Sequence, residues 1–468
     1  MPSIFDRVYA ASPVPVQNLG LSTYGYLWRH RRYGGGFLDA VVQFAAREDY
    51  SPTEWLQYLT QSLRELLIHA ERNVPYYRDL FFGEGLGPRQ LGGFSIEDLR
   101  RLPVLEKQAI RQAPDSLLDR TVPANSLHTY HTSGTTGTPL PIQFTNGVHR
   151  VWSAAYEARC RRWAGVNYRM SRVMIGGRLV VPDAESRPPF WRHNRAERQL
   201  YMSAFHISPE NAPHYAAAIR DFQPDYLVGY ASSHYFLARM ILEQALEVHQ
   251  PRAVLTSSES LTPEMRRVLA EAYGCPVFDG YSGVEACCLA AECEHHRLHL
   301  SPDVGIVEIL DEAGSPVEPG RPGEIVATGL LNYAQPLIRY RTGDLAVLSE
   351  EPCPCGRNMP VIEDLIGRIE DTVIGADGRE MVRFHGIFVG LPHIREGQVV
   401  QDTLDSFRLR LVVDPAFGEP DRLEIARRFH ERLGDIDLTF EIVDRIERTR
   451  AGKFPAVISK VRRTPAHR

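Results

Sequence analysis

The chain has 468 residues, about three times a common single-domain length, so two or three structural units are expected. Its 43% hydrophobic and 24% charged content is that of an ordinary globular protein and argues against disorder. With 53 Lys+Arg against 58 Asp+Glu the formal charge is −5, which argues against a general nucleic-acid coat.

No run approaches the ~18 apolar residues of a membrane span. The opening segment MPSIFDRVYAASPVPVQNLG lacks the basic-then-apolar order of a signal peptide, so a soluble cytoplasmic protein is expected. Seven cysteines, an odd number, suggest no disulfide framework, yet five of them fall between residues 287 and 355.

In chain order, residues 51–82 open on Ser-Pro-Thr-Glu and continue with apolar residues at helical spacing, a pattern that Pro75 ends. From about residue 170, short apolar runs alternate with helical patterns: SRVMIGGRLVV, PHYAAAIRDF, PDYLVGY, SHYFLARMILEQAL, AVLTSSE, PEMRRVLAEAYG and PVFDGYS. That alternation predicts a largely parallel sheet covered by helices. Residues 301–348 change to strands and Gly/Pro turns, which predicts a β-rich subdomain at about 300–350. Beyond Gly367, FRLRLVVD and LTFEIVDRI alternate apolar and polar residues around a helical DRLEIARRFHERLG. The expected architecture is a large α/β domain over 1–366 and a small α+β domain over 367–468. The tail from 445 carries eight basic residues against one acidic, a solvated end or a set of phosphate contacts.

Four short segments carry chemistry. In His131-Thr132-Ser133-Gly134-Thr135-Thr136-Gly137-Thr138-Pro139, glycines and hydroxyl residues allow backbone N–H groups to converge on an anion. Read alone, it is equally a surface turn, and it lacks the Lys of the P-loop pattern. Asp279-Gly-Tyr281-Ser-Gly-Val-Glu285 follows an apolar strand, where ligands of α/β sheets bind; its Glu suits Mg²⁺ or plain solvent exposure. Asp344, in Tyr340-Arg341-Thr342-Gly343-Asp344, can accept from ribose hydroxyls or cap a turn. Lys453, in Gly452-Lys453-Phe454, is an active-site cation or a surface lysine. Separately, Cys293, His299, Cys353 and Cys355 make a thiolate–imidazole set suited to structural Zn²⁺, with Cys287, Cys288, His295 and His296 as competing ligands.

Together the four segments, with HAERNVPYYRDLF, LPVLEKQAIR, PDYLVGYASSHYFLA, ECEHHRLHL, CPCGR and RTRAGKFPAVISK, resemble the adenylate-forming superfamily of acyl-CoA synthetases and adenylation domains. Within it the chain is most similar to the phenylacetate–CoA ligase group and its capsule-biosynthesis-type relatives. The resemblance implies ATP-dependent activation of a carboxylic acid, aromatic or arylacetic, as an acyl-adenylate, then transfer to CoA with release of AMP and pyrophosphate. It implies that Thr132, Ser133, Gly134, Thr135, Thr136 and Gly137 wrap the ATP phosphates. Ser258, Glu259 and Ser260 would lie along adenine, with Asp279 and Tyr281 at its face and edge. Glu285 would hold Mg²⁺, Asp344 and Arg368 the ribose, and Lys453 would reach in for adenylation. The small domain would be mobile, with Glu370 at the hinge. The chain departs from the family pattern at Val284, Thr138 and Glu370, where Thr, Lys and Asp are usual. Transfer to an amine or carrier protein, or nucleotide binding without turnover, are the alternatives. No heptad or edge strand announces an interface, so a homodimer is left open.

Overall fold

The computed structural model describes residues 4–132, 140–182, 185, 187–368, 373–375, 380–381, 387–388, 391, 393–449 and 453–461. Helices come first: α1 (Ile4–Ala11), α2 (Val14–Tyr33), α3 (Phe37–Ala46), α4 (Pro52–Asn73), α5 (Pro75–Gly83), α6 (Pro88–Leu91) and α7 (Lys107–Gln112). Ser51 starts α4 through a capping box: its hydroxyl accepts from the Glu54 N–H, and the Glu54 carboxylate accepts from the Ser51 N–H at 2.8 Å. Pro75 stops α4 as expected, but it also becomes the first residue of α5, where a missing N–H costs nothing. The apolar stripe of both helices (Leu63, Leu66, Leu67, Ala70, Tyr77 and Phe81) is fully buried.

A hairpin of β1 (His128–His131) and β2 (Pro141–Phe144) carries the Gly/Thr-rich segment at its tip, with His131 opposite Pro141. Helix α8 (Asn146–Tyr156) follows and runs into a π-helical turn at Glu157–Arg161. Then come β3 (Arg172–Gly176), β4 (Trp191–Asn194), β5 (Gln199–Ser203), α9 (Ala212–Phe222), β6 (Tyr226–Tyr230), α10 (Ala231–Glu243), β7 (Ala253–Ser257), α11 (Pro263–Tyr273) and β8 (Val277–Ser282). Strands β5, β3, β6, β7 and β8 are parallel neighbours in that order, as βαβ crossovers demand. Helices α9, α10 and α11 close over them through Ile219, Leu237, Ile241 and Leu269.

At β8 the strand direction changes. The connection 283–288 is too short for a crossover, so β9 (Leu289–Glu292) pairs antiparallel with β8. The sheet then continues through β10 (Leu298–Leu300), β14 (Val361–Arg368), β13 (Tyr340–Leu348), β12 (Pro322–Gly329) and β11 (Gly305–Leu310). The β-rich segment expected at about 300–350 is continuous with the large sheet. It is the antiparallel wing of one twelve-stranded sheet, because β14 returns to pair with β10.

Strands β15 (Val373–Ile374), β16 (Glu380–Met381), β17 (Ile394–Gln401), β18 (Ser406–Val413), β19 (Asp437–Ile442) and β20 (Val457–Ser459), with helix α12 (Glu419–Leu433), build a separate apolar cluster. Its four-stranded sheet has the order β19-β18-β17-β20. The inward alternation of Phe407, Leu409 and Leu411 meets Ile425, Phe429 and Leu433 of α12. Among the described residues no helix is long and apolar enough to cross a membrane.

Candidate active site

A cleft of about 830 Å³ opens beyond the carboxyl ends of β7 and β8, where the sheet turns from parallel to antiparallel. This is the position at which open α/β sheets bind ligands. Ser258, Glu259, Ser260, Tyr281, Glu285, Asp344 and Lys453 all line it, although they span almost two hundred residues of sequence.

The side chains within it are held in pairs. The Tyr340 hydroxyl donates to Glu285 Oε1 at 2.9 Å, and the Tyr281 hydroxyl donates to Asp344 Oδ2 at 2.7 Å. Burial and the adjoining carboxylates raise the pKa of both phenols, so they stay protonated and donate. Gly283 lies against the other oxygen of Glu285: a Cβ there would come within 2.4 Å of Oε2. Glu285 is thus fixed at one oxygen by a phenol, while the space for the other depends on a missing side chain. Tyr340 went unassigned in the sequence; β13 is bulged between Arg341 and Leu345, with Gly343 at φ 81°, so simple alternation does not reveal which residues of this segment share a face.

Asp279 stands apart from this group. It borders an adjoining cavity of about 730 Å³ with Arg266, Glu292 and Asp364. Its carboxylate accepts from Thr256 Oγ1 at 2.8 Å, and its N–H donates to Glu292 at 2.9 Å. Burial, reinforced by Glu292, pushes its pKa up to about 7.

Thr132 closes the neck of the Gly/Thr-rich loop: its N–H donates to Leu140 O and its hydroxyl accepts from the Leu140 N–H at 3.0 Å. Residues 133–137 lie outside the described residues, as does Glu370. The backbone of Arg368 pairs with Asp344 across β13 and β14, and its side chain is outside the described part. Lys453 sits on a turn closed by two bonds to Thr449: its N–H donates to the Thr449 hydroxyl at 3.1 Å, and its carbonyl accepts from the Thr449 N–H at 2.9 Å. Trp152 and Tyr156 are half-buried and pack against the core clusters.

The cysteine–histidine set converges elsewhere. The ligand atoms of Cys293, His299, Cys353 and Cys355 lie within 4.8 Å of one another. Cys293 and Cys353 sulfurs are 3.6 Å apart, and Cys355 Sγ is 3.4 Å from His299 Nε2. An ion bound tetrahedrally at about 2.3 Å from sulfur separates two thiolates by roughly 3.8 Å, and sulfur from nitrogen by roughly 3.5 Å. Of the competing ligands, Cys287 and Cys288 line the main cleft and His296 leans on Glu292 and Phe278, while His295 donates its backbone N–H to Cys293 Sγ at 3.4 Å. Burial lowers the His299 pKa to about 4, which keeps the imidazole in the neutral form that ligates.

Residues 374–460 match the family described as the CapK C-terminal domain. Over an alignment of 470 positions the chain is 26% identical to Protein CapK of Staphylococcus aureus, covering 98% of this chain and 100% of that one. It is 30% identical over 327 residues to the phenylacetate-coenzyme A ligase of Pseudomonas putida, with 68% of this chain and 71% of that one covered. Among solved structures, 2-hydroxyisobutyryl-CoA ligase in the postadenylation state superposes with a TM-score of 0.70 at 21% identity, covering 88% of this chain and 91% of that one. That likeness is one of fold.

Proposed function

The chain belongs to the phenylacetate–CoA ligase family of adenylate-forming enzymes, and on that premise we propose that it activates a carboxylic acid with ATP and transfers the acyl group to CoA. The acid is of the aromatic or arylacetic class. The observation that carries the reading is the single cleft in which Glu285, Tyr281, Asp344 and Lys453 meet.

In the first step a carboxylate oxygen of the acid attacks the α-phosphorus of ATP. The bond to the bridging oxygen breaks, and pyrophosphate leaves. Tyr281 lies against adenine, and Asp344 accepts from the ribose hydroxyls once Tyr281 yields its hydrogen bond. Glu285 would hold Mg²⁺, which would supply positive charge to the phosphates. The Lys453 ammonium stabilises charge moving onto the leaving group, so no general base is needed: the acid is already ionised near pH 7. In the second step the CoA sulfur attacks the acyl carbon, the bond to the phosphate oxygen breaks, and AMP departs. Acid-dependent exchange of labelled pyrophosphate into ATP tests the first step. AMP release that requires CoA, and that amines or carrier proteins do not support, tests the second. A chain that exchanges no pyrophosphate across a panel of acids is not an acid-activating enzyme.

Glu285 is useful only if its carboxylate is aimed, and Tyr340 aims it. Tyr340→Phe removes one hydrogen bond without changing volume. It is expected to raise the Mg²⁺ concentration for half-maximal pyrophosphate exchange about fivefold, the scale of one such bond. An unchanged Mg²⁺ requirement would separate the phenol from the metal-binding carboxylate.

The four-residue cysteine–histidine set, with all positions supplied by protein, is assigned a structural Zn²⁺ that ties the β9–β10 hairpin to the β13–β14 connection.

A further inference from the structure

We propose that Glu259 is a positioning residue that docks the Lys453 turn onto the large domain for adenylation; the proposal rests on the acid-activation reading above. Glu259 follows Ser258, whose φ of 70° bends the chain sharply after β7 and turns the next side chain into the cleft. Its two oxygens serve different parts of the molecule. Oε2 accepts from the Ser232 N–H at 2.9 Å and from the Ser232 hydroxyl at 2.6 Å, in the first turn of α10. Oε1 accepts from the Phe454 N–H at 3.1 Å, and Phe454 is the residue after Lys453.

The surrounding contacts serve the same junction. The Phe454 ring meets Phe236 of α10 edge-on at 5.5 Å, and the Arg448 guanidinium lies 4.9 Å over Phe236 and 4.7 Å over Phe454. Arg448 is held in turn by Glu396 at 2.7 Å. Arg239, also on α10, donates to the Ile394 carbonyl at 3.2 Å. One face of α10 thus receives the small domain, and Glu259 is the charged acceptor at its centre.

The consequence for Lys453 is geometric. A lysine is a point charge on a four-carbon stem, and the stem alone does not fix the ammonium. A bond to the adjoining backbone N–H removes most of the freedom at its root, and placing a charge in advance of the step is what catalysis by electrostatics requires.

Glu259→Gln discriminates between docking and a purely local role. The Ser232 and Phe454 contacts are both donors, whereas an amide offers one acceptor oxygen. Ser232 brings two donors to the start of the helix and takes that oxygen, so the amide NH₂ faces the Phe454 N–H. The helix start stays satisfied and the docking bond is lost. In the full-length chain, E259Q is expected to lower kcat for acid-dependent pyrophosphate exchange about tenfold, the scale of losing a hydrogen bond to a charged group. KM for ATP should rise less than about twofold, and thioester formation from supplied acyl-adenylate and CoA should fall by much less than adenylation does. Exchange at the parent rate would overturn the proposal. So would an equal loss in both half-reactions, or a rise in KM for ATP without a change in kcat, the mark of an adenine contact. If the parent chain itself exchanges no pyrophosphate, the acid-activation reading falls and the docking role falls with it; a parent that exchanges beside an unaffected E259Q defeats the docking role alone.

Discussion

Replacing Lys453 with Ala is expected to lower acyl-adenylate formation by about 10²–10³-fold, the usual cost of removing one preorganised charge donor from a site of charge transfer. The argument is electrostatic. An anionic acid must approach a nucleotide that carries several negative charges, and charge then collects on departing pyrophosphate. Glu285 itself adds a negative charge to the cleft, and Asp344 another. Lys453 brings a cation into that group from a turn closed by Thr449 on one side and tethered through Phe454 on the other. Single-turnover formation of the adenylate measures the effect, with Lys453→Arg as companion. Arg keeps the charge but spreads it over a planar fork, so only part of the rate should return. Adenylate formation by K453A at the parent rate would remove the lysine from the reaction.

The second large effect concerns stability. Cys293→Ser combined with Cys353→Ser is expected to abolish stoichiometric zinc and to lower the melting temperature by roughly 6 °C. That figure corresponds to a loss of about 5 kcal/mol, in the range reached when a metal site is destroyed. Both cysteines are buried in the same apolar cluster as Leu289, Val361, Phe37 and Phe44. Removing their ion therefore loosens contacts that reach α3 as well as the antiparallel wing. A chelator strong enough to strip the parent protein should produce a comparable shift. Zinc content well below one per chain in carefully purified parent protein, or variants that melt with the parent, would count against a structural ion.

Much of this was legible in the sequence because the signals are contiguous. The alternation of YLVGY, AVLTS and VFDGYS with helical stretches fixes a parallel sheet, and the DGYSGVE and YRTGD segments each sit directly on a strand that borders the cleft. The cysteine–histidine set was readable from two local pairs, Cys293 with His299 and Cys353 with Cys355, although the two pairs lie some sixty residues apart and meet only in the fold. Other features had no such signature. The pairing of β14 with β10, which makes one sheet of two textures, joins segments some sixty residues apart. Glu285 and Tyr340 are 55 residues apart, and the Glu259 contact is to a backbone N–H, a donor that every residue but proline carries. Asp279 shows the converse. The family resemblance places it at adenine, and the structure shows Thr256 and Glu292 bonding its polar atoms beside the neighbouring cavity.

The tight connection between β8 and β9 has a mechanical meaning. Glu285 lies on the short connection between two hydrogen-bonded strands, with Tyr340 bracing it from a third, so its carboxylate is anchored by the central sheet. It serves as a fixed datum against which the reaction is surveyed. On the proposed reading, the nucleotide, the acid and the lysine could each be exchanged without moving the carboxylate that would hold the metal.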